Sequence, residues 1–132
     1  MVTGGAGFLG SHLCEKLLGM GNEVLCVDNY FTGRKANIIH LLDNKNFEVL
    51  RHDITVPLSV EVDEIYNLAA QSFVHSSFHE PIHTGEVTGL GVMRMLEATR
   101  MAAPEARFYQ ASSSEMFGDV YETPQRETTP FY

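Results

Sequence analysis

Thr3-Gly4-Gly5-Ala6-Gly7-Phe8-Leu9-Gly10 is the stretch from which the rest of this chain can be laid out. It holds Gly-x-x-Gly-x-x-Gly at positions 4, 7 and 10, and Gly-x-Gly-x-x-Gly at positions 5, 7 and 10. Met1-Val2-Thr3 before it reads as the tail of a strand. Ser11 to Leu18 after it reads as a helix with Leu13, Leu17 and Leu18 on one face, ended by Gly19 and Gly21. A glycine turn in that context has separable jobs. Gly4 permits the tight turn, Gly7 lets a pyrophosphate reach the backbone, and Gly10 lets helix and sheet approach closely. The free N–H groups at the helix start then face the phosphates. Asp28 closes the next strand, 18 residues past Gly10. A carboxylate there accepts hydrogen bonds from ribose hydroxyls and repels a 2′-phosphate, so NAD is predicted in preference to NADP. Arg34 and Lys35 lie just beyond and soften that preference.

Outward from the turn, helical and strand signals alternate. Glu23 to Asp28 is a continuous apolar run closed by an acid, as in a buried parallel strand. Ala36 to Leu42 reads as a short helix. Phe47 to Ile54 reads as a third strand ending at Asp53, Glu64 to Ala70 as a fourth, and Arg107 to Ser112 as a fifth. A longer helix spans His83 to Met101, with Val87, Leu90, Met93, Leu96 and Ala98 on its apolar faces. The remainder reads as loop. This alternation predicts an α/β fold, a Rossmann-type doubly wound parallel sheet of about five strands in the order 3-2-1-4-5. The ligand crevice is predicted between strands 1 and 4, where the order reverses. Residues 1–132 read as one dinucleotide-binding domain.

Composition narrows the function. Among 132 residues, 44% are hydrophobic and 20% charged, an ordinary globular balance. The net charge of −8 repels nucleic-acid backbones and anionic membranes, so neither is predicted as a partner. No apolar run approaches a membrane span, and the first residues carry no signal-peptide pattern. Cys14 and Cys26 lack Cys-x-x-Cys spacing and read as two buried thiols of a cytoplasmic protein. His75, His79 and His83 are spaced by four, which on an unbroken helix gives one face. Pro81 interrupts them, and no metal site is assigned.

The residues resemble a known superfamily. Thr3 to His12, with Asp28-Asn29 and His52-Asp53-Ile54, resembles the extended short-chain dehydrogenases/reductases. Val27 to Lys35 through Glu64 to Ala69 resembles UDP-glucuronate decarboxylases. Asn67 to Val74, Arg107 to Gly118 and Glu127 to Tyr132 resemble GDP-mannose 4,6-dehydratases. The two likenesses meet near Tyr66 to Ala70, as in a hybrid of the two. The resemblance implies that Gly4, Gly7, Phe8, Leu9 and Gly10 hold the pyrophosphate and Asp28-Asn29 the ribose. It implies that Asp53 and Ile54 flank the adenine and that Ala69 and Ala70 line the cleft. It also implies that Ser113 stands where the family has a catalytic Thr, and Glu115 where it has an acid/base. In the dehydratases that Glu eliminates water from a 4-keto sugar.

Two departures from the pattern matter. Thr88 stands where the family often has Asn. The Tyr-x-x-x-Lys pair, which removes the sugar hydroxyl proton, is not found: Tyr30, Tyr66, Tyr109 and Tyr121 are followed four residues on by Arg34, Ala70, Ser113 and Gln125. The chain therefore reads as the NAD-binding portion of a nucleotide-sugar dehydratase or decarboxylase, inactive alone, its GDP- or UDP-sugar handled once further sequence completes it. The alternative is a non-catalytic NAD-binding module. In the family, a helix after the fifth strand covers the sheet and pairs with the Val87–Met101 helix across a dimer interface. Without that cover, Phe108, Tyr109, Leu90, Met93 and Met95 are predicted to be exposed, favouring a homodimer.

Overall fold

The computed structural model describes residues 1–132. Five parallel strands form one sheet: β1 (Val2–Thr3), β2 (Val24–Asp28), β3 (Phe47–Arg51), β4 (Glu64–Asn67) and β5 (Arg107–Gln110). Their order is β3-β2-β1-β4-β5, so the chain reverses direction across the sheet between β1 and β4. Val2 pairs with Cys26 on one side and Tyr66 on the other, which makes the two-residue β1 the centre of the sheet.

Side chains alternate across each strand, and the two faces build two cores. Val24 and Cys26 of β2 join Val2, Ala6, Cys14, Ile38, Leu41 and Phe47 on one face. Val27 joins Met1, Ile54, Ile65, Val87 and Met95 on the other. Helix α1 (Phe8–Gly19) covers the first face with Leu13, Leu17 and Leu18. It ends at Gly21, whose φ of 87° is left-handed and whose N–H bonds Leu18 O at 2.9 Å. The predicted helix over Ala36–Leu42 is instead two 3₁₀ turns, Lys35–Asn37 and Ile39–Leu41, which seat Ile38 and Leu41 in the core.

Beyond β4 comes a helical run in four pieces, of which the last two cover the second face with Val87 and Met95. Helices α2 (Val74–His79) and α3 (Pro81–Thr84) are followed by a π-helical stretch, Gly85–Leu90, and then α4 (Gly91–Ala102). Pro81 at the first turn of α3 separates it from α2, since proline has no N–H to continue the ladder. The sequence reading missed α2. It also placed Met95 on the exposed side, whereas Met95 is 2% exposed and packs with Ile65 and Val87. Burial recurs at Val87, Gly91 and Met95, a spacing of four that turns Leu90, Met93 and Leu96 outward.

Candidate functional site

The crevice lies at the C-terminal ends of the strands, where β1 and β4 part. It is a cleft of about 660 Å³, within the range of small-molecule sites. Gly4, Gly7, Phe8, Leu9 and Gly10 form one wall, Asp28, Asn29, Asp53 and Ile54 a second, and Ala69 and Ala70 a third. All eleven positions singled out in the sequence for a dinucleotide thus line one cleft.

The glycine turn is built by close approach. Gly4 has φ 67°, and a Cβ there would stand 2.9 Å from Ala69 N. A Cβ on Gly10 would stand 2.1 Å from Gly4 O, so α1 could not sit this close to the turn with any other residue. Gly7 is the N-cap of α1 and offers no side-chain cap, and the first turn of α1 carries no acid. The positive end of the helix dipole and its unpaired N–H groups are therefore left for an anion.

The two acids also support the walls. Asp28, 7% exposed, accepts the Ala6 N–H at 2.9 Å and the Tyr30 N–H at 2.8 Å. The first bond ties the glycine turn to the end of β2, and the second holds Tyr30 in its left-handed conformation, φ 62°. A carboxylate has about four lone-pair directions, so two remain for ligand hydroxyls. Asp53 accepts from Asn29 Nδ2 at 2.8 Å, and from the Thr55 N–H and hydroxyl at 2.9 and 2.8 Å. Burial pushes its carboxyl up, but these hydrogen bonds outweigh burial and hold it below the ordinary carboxylate range.

A polar chain that the sequence reading missed runs through Thr3, Asn67 and Gln110, the residues just before the lining residues Gly4, Leu68 and Ala111. The Thr3 hydroxyl donates to Asn67 Oδ1 at 2.5 Å, and Asn67 Nδ2 donates to Gln110 Oε1 at 2.8 Å. Thr3 Oγ1 also accepts the Ala69 N–H at 3.2 Å. Asn67 is fully buried, so this chain locks the ends of β1, β4 and β5 together at the switch point. Its only sequence signal was a polar residue ending each apolar strand. Thr88, the departure from the family pattern, accepts the Gln71 N–H at 3.2 Å and pins the loop after β4 to the π-helical stretch.

The catalytic positions fall differently. Ser112 lines the cleft, while Ser113 and Glu115 do not. Ser113 caps the 3₁₀ turn Ser114–Phe117, its Oγ accepting the Glu115 N–H at 3.2 Å, and both residues are exposed. The sequence also gave no sign that Gln71, Phe73, Ser76 and His83 would complete the cleft. Arg34 and Lys35 are exposed and stand outside it.

Comparison with known proteins agrees with this geometry. The family model described as GDP-mannose 4,6 dehydratase matches residues 1–132. The chain belongs to that family. UDP-glucuronic acid decarboxylase 1 of Arabidopsis thaliana is 48% identical over 129 residues, 97% of this chain and 29% of that protein. A crystal structure of a UDP-galactose 4-epimerase superposes with a TM-score of 0.85 at 33% identity, covering 99% of this chain and 43% of that one. DesIV, a dTDP-glucose 4,6-dehydratase from Streptomyces venezuelae solved with NAD and TYD bound, gives a TM-score of 0.88 at 27% identity, covering 99% and 44%. The dehydratase and decarboxylase likenesses each run through nearly the whole chain. The chain spans less than half the length of these relatives. No helix is long and apolar enough to cross a membrane.

Proposed function

We propose that this domain binds NAD as the cofactor portion of a nucleotide-sugar dehydratase or decarboxylase. One observation carries the reading: the uncapped, acid-free start of α1 opens into the same cleft as the Asp28 carboxylate. An anionic pyrophosphate suits the first and ribose hydroxyls suit the second. Gly4, Gly7, Phe8, Leu9 and Gly10 would hold the pyrophosphate, Asp28 and Asn29 the ribose, and Asp53 and Ile54 the adenine, with Ala69 and Ala70 along the remaining wall. When bound, the cofactor supplies a hydride acceptor for a sugar carbon. Both the NAD-bound DesIV structure and the family membership support a nicotinamide dinucleotide.

Preference for NAD over NADP rests on Asp28 repelling a 2′-phosphate, while Arg34 and Lys35 stand outside the cleft. Calorimetry with both cofactors is the test. Tighter binding of NAD is the expected result, and equal or tighter binding of NADP would overturn the preference.

The substrate we assign is a UDP- or GDP-sugar, supported by the UDP-glucuronic acid decarboxylase relative and the family match. Ser113 and Glu115 are proposed for its chemistry. Ser113 directly follows Ser112, which lines the cleft beyond β5, and Glu115 stands three residues past it. Removing the proton of a sugar hydroxyl needs a base near it, and these 132 residues contain no Tyr-x-x-x-Lys pair. We therefore propose that residues 1–132 form one dinucleotide-binding domain, inactive by itself, that acts together with a substrate domain. A cytoplasmic setting belongs to the same reading, supported by the two free, buried thiols of Cys14 and Cys26.

A further inference from the structure

The three histidines spaced by four in the sequence fall on two helices, although His79 and His83 both line a second, open pocket. His75 and His79 of α2 meet edge to face, ring centroids 4.8 Å apart and planes inclined by 66°, and their Nε2 atoms stand 3.2 Å from each other. His83 lies beyond Pro81 on α3, turned to the cleft. We propose that His75 and His79 form a two-histidine chelate for a divalent transition-metal ion.

The separation of the two nitrogens carries the argument. Imidazole nitrogens bind zinc at 2.0–2.1 Å, so two of them on a tetrahedral ion lie about 3.3–3.4 Å apart. On a cis pair of a square or octahedral ion the same bond lengths give about 2.8–3.0 Å. The 3.2 Å observed lies between these values and within about 0.2 Å of either. A single turn of helix sets this spacing, because residues four apart share a face. The Phe73 ring, centred 6.0 Å from that of His75, flanks the pair on one side. Both histidines are exposed, so an ion can reach the pair from solvent, replace the hydrogen bond between the two Nε2 atoms once the proton they share has moved, and keep water in its remaining positions. Imidazole selects Zn²⁺, Cu²⁺ and Ni²⁺ over the oxygen-seeking Mg²⁺ and Ca²⁺. Two ligands alone make an exchangeable site, distinct from a four-ligand structural one.

The site sits at the rim of the cleft, since Phe73 and Ser76 of the same segment line the cleft itself. It does not depend on the dinucleotide reading, and its failure would leave that reading standing. The test uses the tag-free chain, titrated with zinc chloride in calorimetry and followed by NMR of the imidazole resonances. One zinc per chain is expected, with the His75 and His79 signals moving together. His75→Ala and His79→Ala should each weaken binding at least tenfold, and His83→Ala should leave it unchanged. His75→Gln and His79→Gln, with helix-compatible side chains, repeat the measurement should an alanine variant unfold. Unaltered binding in the His75 and His79 variants, a loss in His83→Ala as large as theirs, or no response to millimolar zinc would overturn the site. The last result would leave the pair as a simple hydrogen bond between two rings.

Discussion

Asp28 serves the fold and the ligand with one carboxylate. Replacing it with Asn keeps the shape but leaves one oxygen where two accepted the Ala6 and Tyr30 N–H groups. The amide NH₂ would then face a backbone donor. Asp28→Asn should cost roughly 1–3 kcal/mol of stability and weaken NAD by a similar amount. Urea denaturation and calorimetry read the two effects separately; loss of affinity with unchanged stability would show that the backbone bonds are dispensable. Asp53 adds a pH dependence. Its folded pKa is below its unfolded value of ~3.9, so its contribution is complete above that value. The contribution is lost as pH falls through the lowered folded value. The stability gap between the protein and Asp53→Asn should therefore be constant above about pH 5 and narrow below about pH 4. A gap that widened in acid would contradict the hydrogen-bonded carboxylate. Both acids were legible in the sequence as strand-ending residues near a ligand. Their bonds to Ala6, Tyr30 and Thr55 were not, because these depend on how loops distant in sequence return to the strand ends.

Strand order and the C-terminal end of α1 were legible because glycine spacing, strand alternation and crossover handedness constrain one another, whereas α1 begins at Phe8, three residues before the Ser11 read from the sequence. Helix α4 shows where that logic stops. Its sequence is apolar on two sides, so periodicity alone could not say whether Met93 or Met95 faces the sheet. The π-helical stretch Gly85–Leu90 decides it. A wider turn rotates everything after it relative to an unbroken α-helix, and Met95 arrives in the core beside Ile65. Met95→Ala should therefore cost about 2–5 kcal/mol through lost burial and a cavity. Met93→Ala, at a position 64% exposed, should change stability by less than about 0.5 kcal/mol. Paired thermal melts are the measurement, and equal losses at the two methionines would mean that α4 is rotated from the orientation described. The missed helix α2 has a similar cause: Phe73, Val74 and Phe78 are exposed, so no buried face wrote a period into the sequence.

At the scale of the molecule, the sheet and α4 are unevenly covered. Helix α1 packs over β1 and β2. Tyr109 of the edge strand β5 remains 57% exposed, its ring 6.1 Å from that of Tyr66. The C-terminal segment gives it no cover and closes on itself instead. The Tyr132 N–H bonds Phe117 O at 3.2 Å, Phe131 packs on Phe117, and Tyr121 packs on Tyr132. On the opposite face, Leu90, Met93 and Leu96 make an outward apolar stripe at helical spacing, bordered by the Arg94–Glu86 ion pair. A stripe of this kind favours self-association, because contiguous apolar patches of several hundred Å² are uncommon on monomers. Burying about 400 Å² is worth ~10 kcal/mol at ~25 cal/mol per Å². Association itself costs roughly 4–15 kcal/mol, so the balance is close and one charge should reverse it. The chain should form a homodimer through the outer face of α4 at micromolar concentration, and Met93→Lys should return it to a folded monomer whose melting temperature no longer rises with protein concentration. Light scattering on both proteins is decisive: an unmodified chain that stays monomeric, or a Met93→Lys variant that stays dimeric, would remove α4 as the interface.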